Sequence, residues 1–405
     1  MDHHRNQGLA FLGRNKNILV VTGSRAEFGL MLPVIRAIEH DPELDLTLVV
    51  TGSHLDEVFG KTVSEIIGSG VTIDAEIEIL VDGDTSSSIS KAVGHGVINF
   101  TDYFSERAPD ICLFMGDRYE MLAAGIAAFF CDVPIAHISG GELSLGSKDD
   151  QIRHLITKLS SLHFVSAVEH RKRVIQMGTD PKTVFNVGEP GLDTLLQDPI
   201  MSRQALQETL DFELREKLIV LTYHPATSLP NALVLSELQA ILVSLNTLRD
   251  IQVVCTLPNN DQGWVGLRDM LETFRAKNSE WFHTMLSLGR QRYIAMVDQA
   301  ELVIGNSSSG LVEVPMIGTP TVNVGMRQTG RLAGESVISV AADVQDITAA
   351  INLAMTPAFA KRAKIVGSPY GDGNASLRIV DLLKSIDVSD FVRPQFHDID
   401  WKLSD

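Results

Sequence analysis

The segment His137-Ile-Ser-Gly-Gly-Glu142, followed by Asp149-Asp150-Gln-Ile-Arg153-His154, concentrates acids and bases directly after an apolar run, Val133–Ile138. A buried strand of that kind ends at the carboxyl edge of a parallel sheet, where open α/β sheets hold their ligands. Acids beside bases at such an edge suit proton transfer better than simple binding. Gly140 and Gly141 permit tight backbone approach, and Glu142 is expected to project from a loop. Asp149 and Asp150 fall at the start of a helix, where acids also complement the macrodipole and Asp149 could pair with Arg153 across one turn. That plainer explanation leaves Glu142 and His154 unaccounted for.

Similar groups recur at other strand ends. Met115-Gly116-Asp117-Arg118 closes a very apolar run, so Asp117 and Arg118 share that carboxyl edge, although an Asp there is also an ordinary helix cap. Thr22-Gly23-Ser24-Arg25 forms a small-residue turn into a helix whose amides could approach an anion, with Arg25 adding charge. The plainer reading pairs Arg25 with Glu27. The turn is not G-x-G-x-x-G, so no dinucleotide cofactor is expected. In the second half, His224 follows the apolar run Leu218–Thr222, where a histidine is either structural or placed to act on a ligand. Gly305-Asn306-Ser307-Ser308-Ser309-Gly310 then leads into a helix bearing Glu313. Amides and hydroxyls at such a start make an anion nest, more than capping alone needs. Glu313 could accept ribose hydroxyls, and Arg327 and Arg331 add positive charge. Together they point to a nucleotide diphosphate.

Composition narrows the class. The 405 residues carry a formal net charge of −17, which argues against nucleic acid or an anionic membrane as the main partner. Cys112, Cys131 and Cys255 are odd in number and widely spaced, as in a reduced, cytoplasmic protein. No Cys/His cluster has metal spacing, and Asp82-Gly-Asp84 lacks the remaining ligands of a calcium loop. Neither a metal nor a cofactor is expected. The most apolar window, Met121–Ile138, is interrupted by Asp132 and Pro134, so no membrane span is expected.

These residues need a scaffold of strands alternating with helices. Strand patterns at Asn17–Val21, Leu46–Val50, Ile111–Met115, Val133–Ile138 and Val184–Val187 are separated by helical ones, the mark of βαβ units around a parallel sheet. The alternation restarts at Leu218–Thr222, Ile251–Thr256, Leu302–Ile304 and Thr321–Val324, with one helix expected over Ser309–Ile317. The expected class is therefore α/β, with two Rossmann-like domains and an interdomain cleft. The expected divisions are a tail over 1–16, a first domain over 17–198 and a second domain over 199–372 that binds the nucleotide diphosphate. A helix over 373–390 packing back on the first domain and a tail over 391–405 complete the chain.

Taken in order, TGSRAEFG, TGSHL, GDR, GGE…DDQIRHLITKLS, the His-Pro after a strand, GNSSSG, GTP, RQTGR and YGDGNA resemble the hydrolysing UDP-N-acetylglucosamine 2-epimerase family, over about Asn17 to Ile386. The resemblance implies the two-domain architecture called GT-B and hydrolysis of UDP-N-acetylglucosamine with inversion at C2, giving UDP and N-acetylmannosamine for sialic-acid synthesis. A base removes the C2 proton as UDP leaves C1, and water then adds across the glycal. Carried over, Asp117, Glu142 and Asp149 or Asp150 are the proton-transfer residues, and His224 assists departure of UDP. Arg25, Ser307, Ser308, Ser309 and Gly310 hold the phosphates together with Arg327, and Glu313 takes the ribose. Arg118, Arg153 and His154 position the sugar or the acids. Non-hydrolysing members have Glu where this chain has Ser139 and Lys where it has Leu30, which favours the hydrolysing branch. That branch also includes enzymes acting on UDP-2,4-diacetamido-2,4,6-trideoxyglucose in legionaminic-acid synthesis. The resemblance further implies a homodimer or homotetramer. Two other classes compete: a GT-B glycosyltransferase, which would not need the carboxylates around Glu142, and a nucleotide-sugar sensor, against which the intact acids argue.

Overall fold

The first strand, β1 (Lys16–Thr22), reads KNILVVT, and its last five residues are all buried. Ile18 and Val20 enter one apolar cluster while Leu19 and Val21 enter another. An apolar run buried on both faces is what a central parallel strand covered by two helical layers requires. In the computed structural model the described residues are 14–57, 61–81, 86–145, 148–197, 199–226, 229–248, 250–258, 264–286, 288–387 and 395–399. The Asp82-Gly-Asp84 motif and most of both expected tails lie outside them.

The chain divides into two units, one of Met1–Leu143, Ser147–Thr194 and Gly373–Asp405, the other of Ser144–Gly146 and Leu195–Asp372. In the first, β1 is followed by α1 (Arg25–Glu39), β2 (Leu44–Thr51), α2 (Val63–Gly68), β3 (Ala75–Ile77), α3 (Ser86–Glu106) and β4 (Ile111–Met115). Then come α4 (Tyr119–Phe130), β5 (Ile135–Ile138), α5 (Lys148–Leu159), β6 (Leu162–Val165), α6 (Val168–Gln176), β7 (Val184–Asn186) and α7 (Asp193–Gln197). The seven strands lie parallel in the order β3-β2-β1-β4-β5-β6-β7. Strand order reverses between β1 and β4, the switch point at which ligands of such sheets bind. β5 starts two residues later than Val133, and Pro134 in the gap has no N–H for a ladder bond.

The second unit holds α8 (Arg203–Gln207), β8 (Leu218–Thr222), α9 (Asn231–Leu245), β9 (Gln252–Thr256), α10 (Trp264–Lys277), β10 (Phe282–Met285), α11 (Gly289–Asp298) and β11 (Leu302–Gly305). It ends with α12 (Ser309–Val312), α13 (Val314–Ile317), β12 (Thr321–Val324), β13 (Val337–Val340), α14 (Val344–Ala354) and α15 (Pro357–Val366). Its six strands run parallel in the order β10-β9-β8-β11-β12-β13, with the reversal between β8 and β11. The single helix expected over Ser309–Ile317 is two short ones, because Pro315 cannot donate to the preceding turn.

The chain then returns to the first unit as α16 (Ala375–Ser385), whose Ile379, Val380 and Leu383 join the cluster of Met31, Ile35 and Ile38 on α1. Both ends of α16 are clamped. The Asp193 carboxylate accepts the N–H groups of Ala375 and Ser376 at 3.0 and 2.6 Å and the Ser376 hydroxyl. At the other end the Lys16 ammonium donates to the carbonyls of Leu383 and Ile386 at 2.5 and 2.6 Å. These are the orphan groups that a helix leaves at its termini.

Candidate active site

Two Thr-Gly-Ser turns, 22–24 after β1 and 51–53 after β2, meet at the first switch point. The hydroxyl and N–H of Ser53 both donate to the Gly23 carbonyl, at 2.9 and 3.0 Å. Gly52 has φ +59, and a Cβ there would lie 2.8 Å from Glu120 Oε1, so the glycine makes room for that carboxylate. Glu120 is fully buried and grips Arg118 in a two-pronged pair, Nε–Oε2 at 3.0 Å and Nη2–Oε1 at 2.6 Å. Glu27, in the first turn of α1, is also buried. Burial, then the neighbouring Glu120 carboxylate, push its carboxyl up to about 8. His54 contacts Thr22 Oγ1 and Thr62 Oγ1 through its two ring nitrogens, and burial brings it down to about 4. Arg25 is turned away from Glu27 and meets Glu65 at 2.9 Å on an exposed face.

The next loops carry the acids singled out by sequence. Asp117 follows β4 and is ion-paired with Arg153 of α5, whose side chain is only 4% exposed. The Asp149–Arg153 surface pair expected from spacing therefore does not form. The register of α5 instead sets His154 3.6 Å from Asp150, and burial lowers the histidine's pKa. Arg153 Nε and Nη1 are buried with no hydrogen-bond partner among the described residues. His137, in mid-β5, contacts the Gly116 carbonyl through Nε2 at 2.8 Å and Thr157 Oγ1 through Nδ1 at 3.1 Å. Burial takes it down to about 4, so it is neutral and pins the residue before Asp117.

Glu142 does not project from its loop as expected. It is buried, and its Oε1 accepts the Ser166 hydroxyl at 2.7 Å. The glycines ahead of it explain the burial. A Cβ on Gly141, which has φ +78, would lie 2.5 Å from the His170 carbonyl of α6, and one on Gly140 would lie 3.1 Å from His137 Nδ1. The tight approach those glycines permit is thus to the protein's own backbone and side chains. Arg173 of α6 fastens the turn by donating to the Gly141 carbonyl. Ser139 has φ +61, a costly conformation for a residue with a side chain, and its hydroxyl donates to buried Glu189 at 3.0 Å. Asp149 is exposed in the first turn of α5.

In the second unit the switch point is built around Asn306. Its amide bridges the backbone of His224, accepting the N–H at 2.7 Å and donating to the C=O at 2.9 Å. Its own carbonyl accepts Arg327 Nη1 at 3.0 Å and Gln328 Nε2 at 2.8 Å. The preceding Gly305 has φ +138, and a Cβ there would stand 1.9 Å from the Thr222 carbonyl. Ser308 is the N-cap residue of α12 and the Ser309 N–H reaches Ser307 Oγ at 3.4 Å. Gly310 lets this turn close on Thr321 of β12, and Glu313 meets Arg290 at 3.1 Å.

Sequence reasoning missed Glu27, Glu120, His54, Ser166 and His170, and gave Asn306 a place in the anion nest but not its bridge to His224. The repeated Thr-Gly-Ser was the available signal for the first three. Nothing local marks Ser166 or His170, which reach Glu142 from beyond β6. Among the described residues no group of three or more His, Cys, Asp or Glu side chains is arranged to hold a metal ion, and no helix is long and apolar enough to cross a membrane.

Known proteins bear on this arrangement. The family described as UDP-N-acetylglucosamine 2-epimerase matches residues 36–384. The chain is 35% identical over 372 residues to the UDP-N,N'-diacetylbacillosamine 2-epimerase (hydrolyzing) of Legionella pneumophila, covering 92% of this chain and 96% of that one. It is 33% identical to polysialic acid biosynthesis protein P7 of Escherichia coli, over 95% and 96% of the two chains. The crystal structure of UDP-GlcNAc 2-epimerase from Neisseria meningitidis, bound to UDP-GlcNAc, superposes with a TM-score of 0.72 at 19% identity, covering 91% of this chain and all of the other. The expected GT-B-like pair of parallel-sheet domains is thus shared with a solved structure. On the family match and these relatives, the chain belongs to the UDP-N-acetylglucosamine 2-epimerase family.

Proposed function

We propose that the protein hydrolyses a UDP-2-acetamido sugar with inversion at C2. The observation that carries this reading is the pair of carboxylates after adjacent strands β4 and β5, each fixed by a buried partner, Asp117 by Arg153 and Glu142 by Ser166. In the first stage a carboxylate takes the C2 proton as the C1–O bond to UDP breaks, leaving a 2-acetamidoglycal. In the second, an acid delivers a proton to C2 on the opposite face and water adds its hydroxyl at C1, the water's other proton passing to the carboxylate left by that acid. The products are UDP and the free 2-epimer. Two carboxyl groups with separate, rigid settings suit a base and an acid that act in sequence.

Asp149 and Asp150, beside His154, are the further candidates for the second proton transfer. Arg153 Nε and Nη1 are donors suited to an acetamido carbonyl or a sugar hydroxyl. In the second unit, Ser307, Ser308, Ser309 and Gly310 supply hydroxyls and amides for the diphosphate, Arg327 and His224 assist its departure, and Glu313 serves the ribose. Arg118 serves indirectly, through Glu120. Arg25, occupied with Glu65 on an exposed face, has no part.

The Legionella relative favours the UDP-2,4-diacetamido-2,4,6-trideoxy sugar as substrate. UDP-N-acetylglucosamine, for which the family is named, is the second reading. Incubation with each sugar nucleotide in D2O separates the possibilities. A 2-epimerase releases UDP and a free sugar carrying deuterium at C2. Free or transferred sugar without deuterium at C2 would point to a glycosyltransferase or simple hydrolase and overturn the reading.

A further inference from the structure

We propose that Ser166 and His170 are positioning residues that hold Glu142 as an ionised, proton-accepting carboxylate through a one-way chain of hydrogen bonds, a role that rests on Glu142 being catalytic. Ser166 Oγ lies 2.7 Å from Glu142 Oε1 and 2.9 Å from His170 Nδ1, while His170 Nδ1 is 3.9 Å from Oε1. All three side chains are buried. A serine hydroxyl has one proton, and an ionised carboxylate can only accept. If that proton points to Glu142, His170 must donate its own Nδ1–H to Ser166. The direction of the chain is therefore set by the imidazole tautomer.

Burial keeps His170 neutral by lowering its pKa, so the tautomer is a choice between two uncharged forms. Glu142 gains a donor whose hydrogen cannot rotate away without losing its own donor. Such a bond favours the charged carboxylate over the acid. The serine and histidine sit at the end of β6 and in the first turn of α6, held against the Gly140–Gly141 turn by Arg173. Among the described residues, the charged or titratable groups acting on this chain include His137 of β5, Arg153 of α5, and Glu169 and Arg173 of α6.

The test uses the full chain and the turned-over UDP-sugar. Ser166→Ala and His170→Leu are expected to lower kcat by roughly 10- to 100-fold, the range for a hydrogen bond to a charged group, with KM within about twofold. Removing the donor raises the pH at which Glu142 ionises, so the acid limb of kcat/KM moves to higher pH. His170→Asn, whose amide N–H can stand in for Nδ1–H, is expected to recover most of the activity and the original limb. A measurement on the unaltered protein guards against variants that fail to fold. Nitrogen-15 NMR should show His170 in the Nδ1–H tautomer, its signal identified by its absence from His170→Asn and distinct from that of His40, whose Nδ1 donates to the Arg36 carbonyl at 2.7 Å. An Nε2–H tautomer for His170, or an unmoved pH limb in a folded Ser166→Ala, overturns the inference. Full turnover by Glu142→Gln would instead overturn the reading of Glu142 itself.

Discussion

Both sheets reverse strand order at their centre, yet the two switch points are furnished with opposite chemistry. Between β1 and β4 lie Glu27, Glu120 and Arg118, and the neighbouring loops add Asp117 with Arg153 and Glu142 with Ser166. Between β8 and β11 the frame is the neutral Asn306 amide bridging His224, with Arg327 tied to the Asn306 carbonyl. Charge buried beside a sheet edge is costly unless paired, and Glu120, Asp117 and Glu142 are each met by a specific partner, Arg118, Arg153 and Ser166. The second unit relies on backbone groups and hydroxyls, which need close approach instead of counter-charge. The difference teaches that one topology supplies a place for chemistry while the side chains at the turn decide its kind.

The sharpest break of this contrast is Glu142→Gln, which keeps the shape and removes the charge. Turnover is expected to fall by about 10²- to 10⁴-fold, with UDP affinity by calorimetry unchanged within about twofold. Loss of UDP binding in parallel would merge the two roles. Gly305→Ala is the mirror experiment. A methyl 1.9 Å from the Thr222 carbonyl forces β8 and β11 apart, so a loss of about 3 kcal/mol or more in urea unfolding of the second unit and weakened UDP binding are expected. A wild-type denaturation curve would show that the turn has slack.

Glu27→Gln probes the buried acids of the first unit through pH. The folded-state pKa of Glu27 is raised, to about 8 from an ordinary 4.5. Its contribution to stability is therefore fully present below about pH 4.5 and is lost as pH rises to about 8. The glutamine variant should flatten that fall and be the more stable protein at pH 8 to 9. Identical slopes in both proteins would mean that the carboxyl is not protonated when folded. Arg25→Ala is expected to do least. Its pair with Glu65 is exposed, so stability should change by no more than about 0.5 kcal/mol and UDP affinity by less than twofold. A tenfold weaker UDP complex would restore Arg25 to the phosphate site.

The placement of Asp117 and Glu142 after β4 and β5 was legible because apolar runs mark strand ends and polar residues directly after them must lie at the sheet edge. Their settings were not legible. Asp149 and Asp150 stand equally in the first turn of α5, and spacing alone suggested an Asp149–Arg153 pair. Arg153 instead faces inward to Asp117, because a buried guanidinium gains more from a carboxylate beside it than from one in water. In sequence nothing sets Glu120 apart from any acid in a helix's first turn, and only the two Thr-Gly-Ser turns folding over it make it a buried partner of Arg118. Strands β3, β6, β10 and β13 were absent from the sequence reading. All four are only three or four residues long, and β6 and β10 each carry a histidine within their apolar pattern.

What the sequence determined by itself was the alternation of strands and helices, the loops that fall at their carboxyl ends and the order of motifs that places the chain in its family. Those depend on neighbours a few residues apart, through side-chain periodicity and the backbone freedom of glycine. Tertiary structure alone decided that Glu142 is buried, that Ser166 and His170 hold it, that Arg153 serves Asp117, and that α16 returns to the first unit. Each of these depends on groups 24 or more residues apart, Ser166 and Glu142 being the nearest such pair. The charge state of an acid depends on burial and on nearby donors, and folding brings those together from separate parts of the chain.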